Sequence, residues 1–391
     1  MSSIGAPPRP HLTGVIAAML TPMTAGGTRV DPAAAGRLTG WLVERGVHGL
    51  YIAGTTGEGL YLTPDEHQDL TRAVVQAAKG TPVAAHVGAL TTAQAVVLAR
   101  QAAQAGATAV AAIPPPYYSL TREELLAYFT AVAAAAAPLP LYLYNIPSHA
   151  RNELSPGFVA ELGKAIPTVG GIKDSSGFPG RIPELVRTLG PEYDVVCGND
   201  DKALNAFQVG AAGIVASGAS LFPELYLGMH AAWKAGKTQE AETAQAKIVA
   251  MQLALGNGAR LGWYKYVLAQ RGIPVGGVRA PLLDPSPTEQ AKIRERLMEL
   301  KLLCRAASRL ESRDLRAESG ERRAEPEGPR CHPAHRGGGR HEEVAGGTGE
   351  RWVVVRAGND SRGGDDPALG RDTGGGARRV KDDRARRQEG Q

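Results

Sequence analysis

Cysteine is scarce in this chain. Cys197, Cys304 and Cys331 are the three among 391 residues, and they lie far apart. That excludes a disulfide framework and a closely spaced thiolate metal site, and it fits a reducing compartment. The nine histidines show no close spacing of the kind zinc prefers, so no metal is expected. Long hydrophobic runs are missing too. The most apolar stretch, Thr130 to Tyr144, is alanine-rich and interrupted by Pro138 and Pro140, too short to cross a bilayer. The start, Met1 to His11, is polar and proline-rich, without the charged beginning and apolar run of a secretory leader. Neither sign of charge dominates. Residues 1–301 hold 25 Lys+Arg against 23 Asp+Glu within a whole-chain balance of +5. Such a near-neutral body carries no electrostatic footprint for nucleic acid or an anionic membrane. A cytoplasmic location is the expectation.

What is present is 43% apolar residues, enough for a large core. Short apolar runs rich in β-formers occur at Gly14–Leu20, Gly49–Ile52, Val83–His86, Ala109–Ile113, Leu141–Tyr144, Val169–Ile172, Asp194–Cys197 and Gly213–Ala216. Each is continuous in apolar character, the mark of parallel strands buried on both faces. Helical segments such as Asp31–Arg45, Pro64–Ala78, Thr91–Ala105, Arg122–Ala136 and Pro223–Ala235 lie between them. Thr63-Pro64-Asp65-Glu66 reads as an N-cap, an N1 proline and an acidic first turn. Gly46, Gly80 and Gly106 fall just past helix ends, where a left-handed residue is wanted.

Eight strand–helix repeats predict a (β/α)8 TIM barrel over residues 14–235, preceded by an arm at 1–13. An open doubly wound sheet is the competing architecture. Lys237–Gly256, Arg260–Gln270 and Ser286–Leu303 read as three further helices, a C-terminal helical extension over 236–303. From Cys304 the basic residues switch to 18 arginines against one lysine, glycine is frequent, and apolar periodicity stops. Residues 304–391 are predicted to be a disordered tail, too poor in apolar surface to offset chain entropy. A solvated tail, an RNA- or partner-binding arm, and translation of a GC-rich frame are the three readings of it. Its near-balanced charge speaks against the nucleic-acid arm.

In a barrel, the chemistry gathers where strands end. The second strand ends in Gly54-Thr55-Thr56-Gly57-Glu58, whose glycines allow a tight turn and whose amides and hydroxyls suit a carboxylate. The fifth ends in Tyr142-Leu143-Tyr144-Asn145-Ile146-Pro147, which puts Tyr142 and Tyr144 on one side and offers a phenol for proton transfer. The sixth ends in Gly170-Gly171-Ile172-Lys173-Asp174-Ser175-Ser176. Removal from water disfavours an ammonium. A neutral amine in the barrel mouth can attack a ketone and form an imine, which then acts as an electron sink for making or breaking an adjacent C–C bond. Taken singly, each motif also has a bland reading: a threonine-rich turn, a packed tyrosine, a lysine reaching solvent. Their coincidence on one barrel favours chemistry.

In this order and spacing, Gly54-Thr55-Thr56-Gly57-Glu58, Tyr144-Asn145-Ile146-Pro147 and Gly171-Ile172-Lys173-Asp174 resemble the dihydrodipicolinate synthase / N-acetylneuraminate lyase family. Leu20-Thr21-Pro22, Pro115-Pro116-Tyr117-Tyr118 and Arg279-Ala280-Pro281-Leu282 extend the likeness from about Gly14 to Leu302. The resemblance implies a metal-free class I lyase that uses pyruvate and an aldehyde. It makes Lys173 the imine-forming lysine, Tyr144 the phenol that protonates the intermediate, and Thr55 the relay hydroxyl. Thr56, with Gly57 and nearby amides, clamps the pyruvate carboxylate, and Val215 lines the pocket. Tyr118 matches a tyrosine that completes the relay in a neighbouring subunit, within a homotetramer built as a dimer of dimers. Five residues after the tyrosine, the family's synthases carry an arginine for the aldehyde's carboxylate; here His149 stands in Pro147-Ser148-His149-Ala150-Arg151. Histidine lacks the bidentate fork. Aldol cleavage or condensation of a 2-keto-3-deoxy sugar acid therefore fits better than dihydrodipicolinate synthesis. Dihydrodipicolinate synthesis, a related dehydration and, more remotely, a non-catalytic binding barrel stay open.

Overall fold

The computed structural model describes residues 12–303. Residues 1–11 of the expected arm and the whole expected tail, 304–391, lie outside them. Eight strands, each continuous in buried residues, run in sequence order around a closed barrel: β1 (Gly14–Ala18), β2 (Gly49–Ile52), β3 (Val83–His86), β4 (Ala109–Ala112), β5 (Leu141–Asn145), β6 (Val169–Asp174), β7 (Asp194–Cys197) and β8 (Gly213–Ala216). Every neighbouring pair is parallel, and β8 pairs with β1 from Gly14↔Gly213 to Ala17↔Ala216. Closure leaves the sheet no edge, which rules out the open doubly wound alternative.

The helices on the outside are α1 (Pro32–Glu44), α2 (Pro64–Ala77), α3 (Thr92–Gln104), α4 (Arg122–Ala136), α5 (Pro147–Ala150), α6 (Pro156–Ala165), α7 (Arg181–Leu189), α8 (Ala203–Gln208) and α9 (Pro223–Lys234). α10 (Thr238–Ala254), α11 (Leu261–Gln270) and α12 (Pro287–Glu299) follow. The expected start signals operate as read: Thr63 accepts from the Glu66 amide while Glu66 reaches back to the Thr63 amide. Gly46, Gly80 and Gly106 have φ of 82°, 86° and 86°. Among the described residues no helix is long and apolar enough to cross a membrane.

Strand alternation divides the core into two shells. Val15, Ala17, Leu50, Ile52, Leu141, Leu143, Val195 and Ile214 face outward under the helices. Ile16, Ala18, Tyr51, Ala84, Ala111, Tyr142, Tyr144, Val196 and Val215 fill the interior. Polar groups meet at the amino-terminal end of the barrel interior. Tyr142 donates to Asp194 Oδ2 at 2.5 Å, and the Leu12 amide lies 2.9 Å from the same oxygen.

β6 runs two residues beyond the stretch read from sequence, because Lys173 pairs with Tyr144 and Asp174 with Asn145. Its register also slips. Leu141 faces Val169, but Tyr142 faces Gly171, so one extra residue is accommodated at Gly170. The slip reverses the parity of the strand. Val169 and Ile172 both face outward, and Lys173 consequently turns into the barrel. Gly171 is required there, since a methyl on it would stand 2.1 Å from the Asp194 carbonyl oxygen.

Candidate active site

Lys173 is 5% exposed. Its Nζ lies over two aromatic faces, 3.9 Å from the centre of the Tyr144 ring and 4.3 Å from that of Tyr51. Away from water, such contacts hold a cation by about 2 kcal/mol or more. Tyr144 is 2% exposed and its hydroxyl lies 3.5 Å from Thr55 Oγ1, at the outer edge of hydrogen-bond distance. Burial alone would raise the Tyr144 phenol. The charge of Lys173 and hydrogen bonds from Thr55 and Lys173 outweigh it, and the net direction is downward. A phenol so placed gives and takes a proton more readily than one in water.

Behind these residues stands His86, at the end of β3, with its ring edge-on to Tyr144 at 5.9 Å. Its two partners settle its tautomer. The Ala53 carbonyl can only accept, 3.1 Å from Nδ1, and the Ile113 amide can only donate, 3.3 Å from Nε2. The proton therefore sits on Nδ1. Burial, then the charge of Lys173, pushes His86 down to about 3, so the ring is neutral near pH 7. The Nδ1–H also steadies Ala53, a non-glycine residue at φ 54° where β2 turns into the threonine loop.

That loop is built for close approach. A side chain on Gly59 would meet the Ala53 carbonyl oxygen at 1.6 Å, and one on Gly57 the Ala53 nitrogen at 2.9 Å. Thr21, fully buried, donates to the Gly57 carbonyl at 2.5 Å. Glu58, at φ 55°, is buried and paired with Lys265 of α11 at 2.7 Å, and its other oxygen accepts from the Arg279 amide at 2.8 Å. Arg279 grips both oxygens of Glu66 at 2.6 and 2.7 Å and donates to the Gly27 and Thr28 carbonyls. Residues beyond the barrel thus brace the loop that carries Thr55 and Thr56.

Asp174 fixes the turn after the lysine. It accepts from Asn145 Nδ2 at 2.7 Å and from the Ser176 amide and hydroxyl at 3.0 and 2.7 Å. Ser175 Oγ is buried with no hydrogen-bond partner, and Gly198 on the next loop makes room for it. A methyl at Gly198 would stand 1.9 Å from that oxygen and 2.9 Å from Lys173 Cε. Lys202 donates to the Gly177 carbonyl nearby.

The residues singled out from sequence fall into two groups. Lys173, Tyr144, Thr55 and Val215 converge on the barrel mouth or interior, and Thr56 and Gly57 belong to the same loop as Thr55. Tyr118 and His149 do not join them within one chain. Tyr118 is 70% exposed and packs edge-to-face on Tyr117. Its loop is held by Asn152, whose amide donates to the Tyr118 and Pro115 carbonyls. His149 is exposed on the short α5, with Nδ1 2.9 Å from Ser148 Oγ, and Arg151 is tied to Ser119 at 3.0 Å. Sequence reasoning missed Tyr51, His86, Ser175 and Gly198. The first two were readable as polar rings on otherwise aliphatic buried strands.

Residues 11–300 match the model of the dihydrodipicolinate synthetase family. A 4-hydroxy-tetrahydrodipicolinate synthase of Halorhodospira halophila is 34% identical over 294 residues, 74% of this chain and 97% of the relative. Among solved structures, YagE, a prophage protein of the dihydrodipicolinic acid synthase family from E. coli K12 in complex with pyruvate, superposes with a TM-score of 0.71 at 26% identity. It is covered over 99% of its length by 74% of this chain. KD(P)GA from T. tenax superposes with a TM-score of 0.69 at 29% identity, again with 74% of this chain and 99% of that one.

Proposed function

Because the chain belongs to the dihydrodipicolinate synthetase family, whose members are carbon–carbon lyases, we propose that it cleaves or forms 2-keto-3-deoxy sugar acids through an imine on Lys173. The observation that carries the proposal is the placement of the Lys173 amine between the Tyr51 and Tyr144 rings, with the Tyr144 hydroxyl leading to Thr55.

The neutral amine adds to the C2 carbonyl and water leaves, giving a protonated imine. Tyr144, relaying through Thr55, takes the proton of the C4 hydroxyl. The C3–C4 bond breaks, its electron pair moves into the imine, and the aldehyde departs. The resulting enamine is protonated at C3, and water hydrolyses the imine to release pyruvate and the free amine. Condensation is the same path reversed. The imine itself is the electron sink, so no cofactor is assigned. Thr56 and Gly57 hold the substrate carboxylate, and Val215 lines the apolar wall. Tyr118, presented on a braced loop and largely exposed, completes the relay in a second copy within a homo-oligomer.

His149 favours a hydroxylated partner over aspartate semialdehyde. It stands in place of a bidentate cation, and Arg151 is committed to Ser119. Ser175 and Lys202, on the loops after β6 and β7, offer hydroxyl and ammonium groups suited to a polyol chain. The alternative is dihydrodipicolinate synthesis or a related dehydration, a reading supported by the Halorhodospira relative.

Borohydride reduction with saturating pyruvate is expected to add one pyruvate-derived mass to the peptide holding Lys173. An unmodified Lys173 would refute the imine. Comparing 2-keto-3-deoxygluconate cleavage with turnover of aspartate semialdehyde plus pyruvate then separates the two partners.

A further inference from the structure

Tyr51 occupies the middle of the barrel interior at 1% exposure, and its hydroxyl is buried without a hydrogen-bond partner. A buried donor left unpaired is costly and uncommon. Phenylalanine would fill the same volume without that cost.

The polar groups around it are committed elsewhere. His86, 6.4 Å away between ring centres, has its Nδ1 on the Ala53 carbonyl and its Nε2 on the Ile113 amide. The Tyr144 ring stands edge-on at 6.0 Å, and its hydroxyl faces Thr55. Lys173 meets the Tyr51 ring, with Nζ 4.3 Å from its centre. The tyrosine also lies under the threonine loop: a methyl on Gly54 would stand 2.7 Å from Tyr51 Cε1. Burial, reinforced by Tyr144, raises the Tyr51 phenol well above its ordinary range, so it stays a donor. An unused donor is thus left between the lysine that would carry a 2-oxo acid and the loop that would hold its carboxylate.

We infer that the Tyr51 hydroxyl is a substrate-binding group that donates a hydrogen bond to the carboxylate of the 2-oxo acid held on Lys173. The assignment rests on the imine reading above. The ring and the hydroxyl then have separate duties: the ring face steadies the cation on Lys173, and the hydroxyl fixes the acid end of the substrate.

The test is Tyr51→Phe in the full chain, which keeps the ring and removes the hydroxyl. The readouts are the pyruvate concentration that half-saturates borohydride trapping on Lys173, and the melting temperature without pyruvate. The trapping midpoint is expected to rise about ten- to hundred-fold, the size of one hydrogen bond to a charged group. The melting temperature is expected to hold or rise, because an unpaired buried donor has been removed. An unchanged trapping midpoint would overturn the assignment, whatever the melting temperature does. A lower melting temperature would overturn it too, by revealing a structural partner for the hydroxyl. If the unaltered chain traps no pyruvate, the imine reading falls first and this one with it. If it traps pyruvate and Tyr51→Phe matches it, only the role of Tyr51 falls.

Discussion

Replacing Lys265 with methionine is expected to destabilise the barrel and disable a site that Lys265 never touches. The ammonium lies 2.7 Å from Glu58 and donates to the Gly277 carbonyl at 2.7 Å, and the two side chains are 1% and 0% exposed. Burial pulls the Lys265 ammonium down from its ordinary range, and Glu58 opposes that pull. Removing the cation leaves a dry carboxylate with the Arg279 amide as its hydrogen-bond donor and the Arg279 charge nearby. Breaking one side of such a pair costs about 3–5 kcal/mol. For a domain of this size that lowers the melting temperature by roughly 5–15 °C. Glu58 closes the Gly54–Glu58 loop in a left-handed conformation, so the same change should loosen Thr55 and Thr56 and raise the KM for pyruvate. The double variant Glu58→Gln/Lys265→Met should recover much of the lost stability, since neither buried charge remains. Urea melts of both singles and the double give a coupling of about 2–3 kcal/mol if the pair acts as described. A Lys265→Met protein with unchanged melting temperature would refute the reasoning. Two single losses that simply add would refute it as well.

Gly198→Ala should cut turnover at least ten-fold, because the new methyl displaces Lys173 Cε and Ser175 Oγ. Gly157→Ala, on α6 where the added methyl meets nothing, serves as the silent control in the same assay. The Glu66–Arg279 fork predicts a specific acid response. Arg279 hydrogen bonds, aided by the Thr63 amide, hold Glu66 down at about 2. A depressed carboxylate stabilises the fold above its ordinary range, and that contribution is lost as pH falls from about 4.5 toward 2. Allowing for the solvent that reaches the pair, it is worth about 2 kcal/mol. Glu66→Gln should therefore be less stable than the unaltered chain in urea at pH 7, with the gap narrowing below pH 4.5. A gap independent of pH would contradict the assignment.

The barrel was legible because parallel strands buried on both faces leave an unbroken apolar run, and five of the expected helices are bounded by caps or glycines visible in the chain. The motif residues at the ends of β2, β5 and β6 were legible for the same reason: polar groups interrupt those runs where a barrel opens. Tyr51 and His86 escaped notice because they sit within the runs, where a ring passes for packing. The inward turn of Lys173 could not be counted from Val169, since the register slip at Gly170 alters the alternation. The doubled glycine was the one trace of it. The support given to Glu58 by Lys265 and Arg279 spans more than two hundred residues of sequence and leaves no local pattern.

Tyr142, Asp194 and the Leu12 amide tie polar groups together at the amino-terminal end of the barrel, the end opposite the threonine loop. If Lys173 carries the imine proposed above, cleavage leaves the acid fragment covalently held and the aldehyde free. On the proposed imine mechanism departure is ordered, with the aldehyde first and pyruvate second, because the acid must be hydrolysed from Lys173 before it can leave. On the same mechanism, condensation loads the acid before its partner.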